Sequence, residues 1–206
     1  MPESAAEYLP ERPTLPRLRA AAAGCRACPL WQTGTQTVFG EGGASARLML
    51  VGEQPGDQED TQGRPFVGPA GRLLEQALEQ AGIDRDDAYL TNAVKHFKWE
   101  ARGKRRIHAK PAWSEQVACR PWLEAELAVV APRVLVCLGA TAAQSLLGKQ
   151  FRVTKERGRW LDSELAEHVT ATIHPSAVLR QRDGESRGRE LAGLVADLTL
   201  VASVLD

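Results

Sequence analysis

Four short runs of apolar residues punctuate the chain, and each stops on glycine or polar sequence: Arg47–Gly52 (RLMLVG), Ala88–Asn92 (AYLTN), Arg133–Gly139 (RVLVCLG) and Val169–Ile173 (VTATI). Unbroken apolar runs of this length predict strands buried on both faces, as in a parallel sheet. Between them the apolar positions change to helical spacing. Pro69–Ala81 repeats Leu73, Leu74, Ala77 and Leu78 on one side, and Ser114–Val130, Ala140–Leu147 and a last segment from about Glu185 to Val204 behave alike. A short helix is expected from Leu15, preceded by residues 1–14, where Pro2, Pro10 and Pro13 among charges predict a flexible tail. Strands alternating with helices give an α/β layer sandwich on a parallel sheet, expected here as one domain over residues 15–206. In such sheets a ligand lies beyond the carboxyl ends of the strands, so the residues after each run are the ones to inspect for chemistry.

Composition narrows the function classes. No run approaches the ~18 apolar residues of a membrane span. Glu3, Glu7 and Glu11, with no apolar core before Ala20, do not make a signal peptide, so a cytoplasmic protein is expected. The 26 basic and 26 acidic residues cancel, so any nucleic-acid site must be local. The candidate is Lys95–Lys110, where lysines, Arg102, Arg105, Arg106, His96 and His108 face a single acid, Glu100. On charge alone that stretch is equally a solvated loop.

All 4 cysteines invite a common explanation. Cys25 and Cys28 form a CxxC, and Cys119 and Cys137 stand far downstream. Two disulfides would be unusual in a reducing cytosol, whereas soft thiolates suit structural zinc or an iron–sulfur cluster. Spacing does not choose between the two.

The turn after the first strand, GEQPG at Gly52–Gly56, allows a tight backbone to approach a ligand. Phe66, in PFVGPAGRLL, is a candidate stacking plate for a base. Asn92 ends the second strand, where its amide offers a donor beside an acceptor, matching one uracil carbonyl and the adjacent ring N–H. His174, in HPS, follows the fourth strand and is suited to support negative charge on a departing base.

Taken together, GEQPG with Glu59 and Asp60, PFVGPAGRLL, TNAVKHFK at Thr91–Lys98, HPS and the four cysteines in this order resemble the iron–sulfur uracil-DNA glycosylases, from Cys25 to the last helix. Gln54 and the inserted KRRIH at Lys104–His108 resemble the X-type subfamily rather than the family 4 enzymes. The resemblance implies a three-layer α/β/α sandwich around a four-stranded, mainly parallel sheet, with an inserted basic loop at about 99–111. It implies catalytic roles for His108, Glu53, Asp57 and His174, and substrate contacts from Gln54, Gly56, Phe66, Asn92 and Ser176. Lys104, Arg105 and Arg106 would meet DNA and position the loop, and Cys25, Cys28, Cys119 and Cys137 would hold a 4Fe-4S cluster.

The implied substrate is uracil-containing DNA, preferably single-stranded because the cost of extruding a base from a duplex then disappears. A monomer is expected. In X-type members the residue matching His108 traps the sugar cation and leaves DNA joined to the protein. Cations at Lys104, Arg105 and Arg106 would disfavour a charged imidazolium and keep His108 nucleophilic. Two other readings stay open: a conventional turnover glycosylase whose KRRIH segment only grips DNA, and a non-enzymatic iron–sulfur DNA-binding module.

Overall fold

The computed structural model describes residues 4–205, and in it the four apolar runs pair as one parallel sheet. Strands β1 (Leu48–Gly52), β2 (Ala88–Asn92), β5 (Val134–Leu138) and β6 (His168–Thr172) lie in the order β2-β1-β5-β6. The remaining strands, β3 (Trp99–Arg102) and β4 (Arg105–His108), form a separate antiparallel hairpin. Because β2 lies on one side of β1 and β5 on the other, the winding reverses at β1, and a crevice opens at the carboxyl ends there.

Strand alternation divides the core between two helical layers. Leu48, Leu50, Val134, Val136 and Leu138 point to the face covered by α3 (Pro69–Gln80) and α8 (Gly184–Ala202), packing with Leu74, Leu78, Leu194 and Leu198. Met49, Val51, Leu135 and Cys137 point to the face covered by α1 (Leu15–Ala22), α4 (Trp113–Val130) and α5 (Ala140–Leu147), packing with Leu15, Leu123, Leu127, Ala142 and Ala143. Each fully buried leucine contributes about 1.5–3 kcal/mol. Both sheet edges are blunted by single antiparallel bridges, Glu41 to Leu90 and Leu161 to Val169. Among the described residues, no helix is long and apolar enough to cross a membrane.

Three short helices, α2 (Asp57–Gln62), α6 (Val153–Glu156) and α7 (Pro175–Leu179), offer too few turns for a periodic signal. The structure also differs from the tail expected over residues 1–14. Met1–Glu3 lie outside the described residues, but Ala5–Tyr8 form a 3-10 turn capped by Ser4. Ala5 is fully buried in a third apolar cluster with Leu18, Ala22, Phe39 and Trp122. A small side chain that fits against a buried tryptophan docks the segment, and that contact has no local sequence signal.

Candidate active site

The tip of β1 is a glycine for a packing reason. A Cβ at Gly52 would stand 2.3 Å from Asn92 Oδ1 and 2.6 Å from Phe66 Cζ, so only glycine lets the Asn92 amide and the aromatic ring close over this strand end. Gly52 and Asn92 are paired in register across β1 and β2. Phe66 has a positive φ of 55°, and its carbonyl lies where a side chain at Gly71 would fall, so the first turn of α3 locks it from behind. Its ring stacks towards the His174 imidazole at 6.3 Å and 28°.

Glu59, a buried residue of α2, ties the two glycine turns together. One carboxylate oxygen accepts from the Gly56 amide at 3.1 Å and the other from the Gly68 amide at 2.7 Å. The result is a cavity of about 550 Å³ whose wall includes Gln54, Phe66, Asn92, His108, His174 and Arg180. Gly56, Asp57 and Ser176 also reach it. A hollow of about 400 Å³ at the opposite end of the sheet, among Ser45, Gly82, Asp84 and Asp87, gathers none of these groups.

His174 caps α7, where its Nδ1 accepts from the Ser176 backbone N–H at 3.2 Å. A backbone amide only donates, so the ring proton sits on Nε2, which is left as a donor. Arg180 donates to Ser176 Oγ at 2.8 Å, and that oxygen lies 2.8 Å from His174 Nδ1. Burial, with the nearby positive charges of His108 and Arg180, pushes the His174 pKa down to about 4, which keeps the ring neutral.

The basic segment expected as a loop is the β3–β4 hairpin, with Trp99 opposite His108 and the chain reversing at Gly103, whose φ is 61°. Gln54 stitches its base: Lys98 N–H donates to Oε1 at 3.0 Å, while Nε2 donates to the carbonyls of Lys98 at 3.1 Å and Ala109 at 3.0 Å. The same amide nitrogen lies 2.9 Å from His108 Nε2. Arg106 pins the far strand by donating to Asp57 and to the fully buried Asp60, both at 2.6 Å. Glu53 faces His108 Nε2 at 3.4 Å, and its other oxygen accepts from the Thr141 hydroxyl.

The hairpin thus gathers His108 with Glu53 and Gln54, but the charge expectation changes. Two carboxylates match Arg106, and Lys104 and Arg105 are exposed at the hairpin end. Asp57 is engaged by Arg106 rather than turned on a ligand. Thr141, Glu59 and Arg180 were missed. Thr141 follows the third strand, where the strand-end rule points; Arg180 stands one helical turn after Ser176 of HPS, at the end of α7.

Behind Asn92 lies a fully buried ion pair that no motif announces. Lys95 Nζ donates to Thr91 Oγ1 and the Asn92 carbonyl, both at 2.7 Å, and to Glu126. Glu126 also accepts from Tyr89, Thr91 and the Gly40 amide. The pair fixes the strand end that presents Asn92.

The four-cysteine ligand set does not fit. Cys25, Cys28 and Cys119 share one apolar cluster. Cys137 stands in β5 on the inner face of the sheet, packed with Met49, Val51, Leu135 and Ala142. Burial alone pushes its thiol up to about 12, whereas Cys119 senses Cys28 and Cys25 as well as its own burial. Alternation along β5 sends residue 137 into the core, so it is withdrawn as a ligand.

Comparison with known proteins places these features. The chain matches the family model for the uracil DNA glycosylase superfamily over residues 39–199. It is 43% identical over 164 residues to a type-4 uracil-DNA glycosylase of Thermotoga maritima, covering 79% of this chain and 82% of that protein. A type-4 uracil-DNA glycosylase of Sulfurisphaera tokodaii is 37% identical over 174 residues, covering 81% and 76%. A third, of Pyrobaculum aerophilum, is 34% identical over 174 residues, covering 81% and 85%.

Proposed function

This chain belongs to the uracil DNA glycosylase superfamily, and from that premise we propose that it excises uracil from DNA and captures the resulting sugar covalently on His108. The observation that carries the second half is the hairpin contact: His108 Nε2 stands at the cavity wall, 2.9 Å from the Gln54 amide and 3.4 Å from Glu53.

In this reading uracil stacks on Phe66, and Asn92 reads its donor–acceptor edge. The C1′–N1 bond breaks with its electron pair leaving on the base. His174, neutral and with its proton on Nε2, donates to the uracil oxygen on which charge develops. Glu53 stabilises the sugar cation and takes the Nε2 proton from any imidazolium form of His108, freeing the lone pair. That pair forms the new bond at C1′; the adduct's remaining N–H proton is lost to solvent, and the uracil anion is protonated by water. Single-stranded DNA is the preferred substrate, because extrusion from a duplex costs a few kcal/mol. We also propose that the protein carries a 4Fe-4S cluster with Cys25, Cys28 and Cys119 among its ligands, as a structural element outside the chemical steps.

The test is a single-stranded oligonucleotide bearing one uracil, mixed with the protein, boiled in detergent and run on a denaturing gel. A uracil-dependent band at the mass of protein plus DNA is expected, and His108→Ala should lose it. Abasic product accumulating well beyond one equivalent, without that band, would make this an ordinary turnover glycosylase. Neither band nor abasic product would leave a DNA-binding module.

A further inference from the structure

Trp99 takes no part in the chemistry described so far, and we propose that it is a positioning residue for His108, bracing strand β3 of the hairpin against the segment 33–36. The inference rests on the covalent-capture reading above. Strand pairing sets Trp99 directly opposite His108, so the two side chains leave the hairpin on the same face. The Trp99 indole N–H donates to the Thr33 carbonyl at 2.9 Å. Thr33 belongs to neither the hairpin nor α2; it ends the 3-10 turn Pro29–Gln32.

The segment that receives this bond is itself held to α2. The Thr35 backbone N–H and hydroxyl donate to the Asp60 carboxylate at 2.8 and 2.5 Å, and the Gln36 side-chain amide donates to the carbonyls of Asp60 and Thr61, both at 3.0 Å. Arg106 reaches the same place, donating to Thr35 Oγ1 at 3.1 Å as well as to Asp60. Its guanidinium lies 5.7 Å from the centre of the Trp99 ring and 5.5 Å from that of Phe97, within reach of a cation–π attraction. Phe97 is buried, and its ring lies 6.1 Å from the His108 imidazole. Trp99 therefore acts twice: its N–H ties β3 to a segment that α2 holds, and its ring flanks the arginine that ties β4 to α2. An isolated two-stranded hairpin is only marginally stable, and Glu100, Ala101 and Arg102 of β3 are exposed, so the fixed placement of His108 against Glu53 needs a tether on each strand.

The test compares the parent with Trp99→Phe, which keeps an aromatic ring beside Arg106 and removes the donor, and with Trp99→Leu, which removes both. Each protein meets the single-uracil oligonucleotide in single turnover, and one denaturing gel reads the excision rate and the ratio of adduct to free abasic DNA. Excision should stay within a few-fold of the parent in both variants. The ratio should fall roughly two- to tenfold in Trp99→Phe, as for the loss of one hydrogen bond. In Trp99→Leu it should fall roughly tenfold to a hundredfold, as for a nucleophile displaced by about 1 Å. Because Trp99 and Arg106 brace one hairpin, Trp99→Phe should lower the ratio less in an Arg106→Ala background than it does alone. If Trp99→Leu fails to fold, judged by its urea midpoint, Trp99→Phe decides. A parental ratio in Trp99→Phe, an excision loss as large as the capture loss, or full additivity with Arg106→Ala would overturn the assignment. A parent that excises uracil without forming any adduct would overturn the capture reading, and this inference with it.

Discussion

At the residue scale, Gly52 and His174 make the sharpest claims. Adding one methyl at Gly52 drives against both Asn92 and Phe66, and overpacking of this kind costs about 1–3 kcal/mol. Gly52→Ala should therefore fold yet lose roughly a hundredfold in uracil excision, as expected for a displacement near 1 Å at a reacting site; single-turnover rates on a uracil oligonucleotide measure it. His174 supplies a pH signature. Its folded pKa of about 4 lies below the ~6.5 of an unfolded histidine, so between those values the unfolded chain binds more protons. Stability should be fully present above pH ~6.5 and fall as pH drops towards 4. Full burial would give about 2 kcal/mol between pH 7.5 and 5; with part of the ring facing the cavity, about 1–2 kcal/mol is expected. Urea midpoints of the parent and His174→Gln at both pH values test this: the variant should lose the share that His174 supplies, while buried His96, also pushed down to about 4, keeps its own.

At the element scale, the β3–β4 hairpin is a carrier held at three points. Gln54 grips its two ends, and Arg106 clamps β4 to the start of α2 through Asp57 and Asp60. The His108 imidazole is half exposed, with a side chain 48% accessible, so its position depends on these anchors rather than on packing. Arg106→Ala should leave uracil excision within a few-fold of the parent while lowering the fraction captured covalently by roughly tenfold to a hundredfold. The ratio of adduct to free abasic DNA on one gel reads the outcome, and an unchanged ratio would remove Arg106 from positioning. The short helix α7 is the counterpart on the other side of the cavity, where the Arg180–Ser176–His174 chain orders the imidazole.

At the scale of the whole molecule, zero net charge leaves no general attraction for a polyanion, so the proposed grip on DNA must come from a few local cations. With Lys104, Arg105 and Arg180 as the phosphate contacts, the log–log dependence of single-strand affinity on salt should have a slope near −2, at ~0.7 per contact. Lys104→Ala should lower its magnitude by about 0.7; a much steeper parent slope would mean a larger basic surface than these three residues make. The four strands and the long helices were legible because burial on both faces and amphipathic spacing are written locally, and the strand-end rule led to Glu53, Asn92 and His174. The docking of Ala5, the Lys95–Glu126 pair and the Thr141–Glu53 contact were not legible. Each depends on which distant segments become neighbours. Sequence by itself determined the kind of layers, the end of the sheet that carries chemistry and the family resemblance, since these follow from residue type at fixed local spacing. Tertiary structure decided which side chains meet: alternation along β5 turned a cysteine inward, and a hairpin stitched by Gln54 brought His108 to Glu53, contacts set by packing across tens of residues.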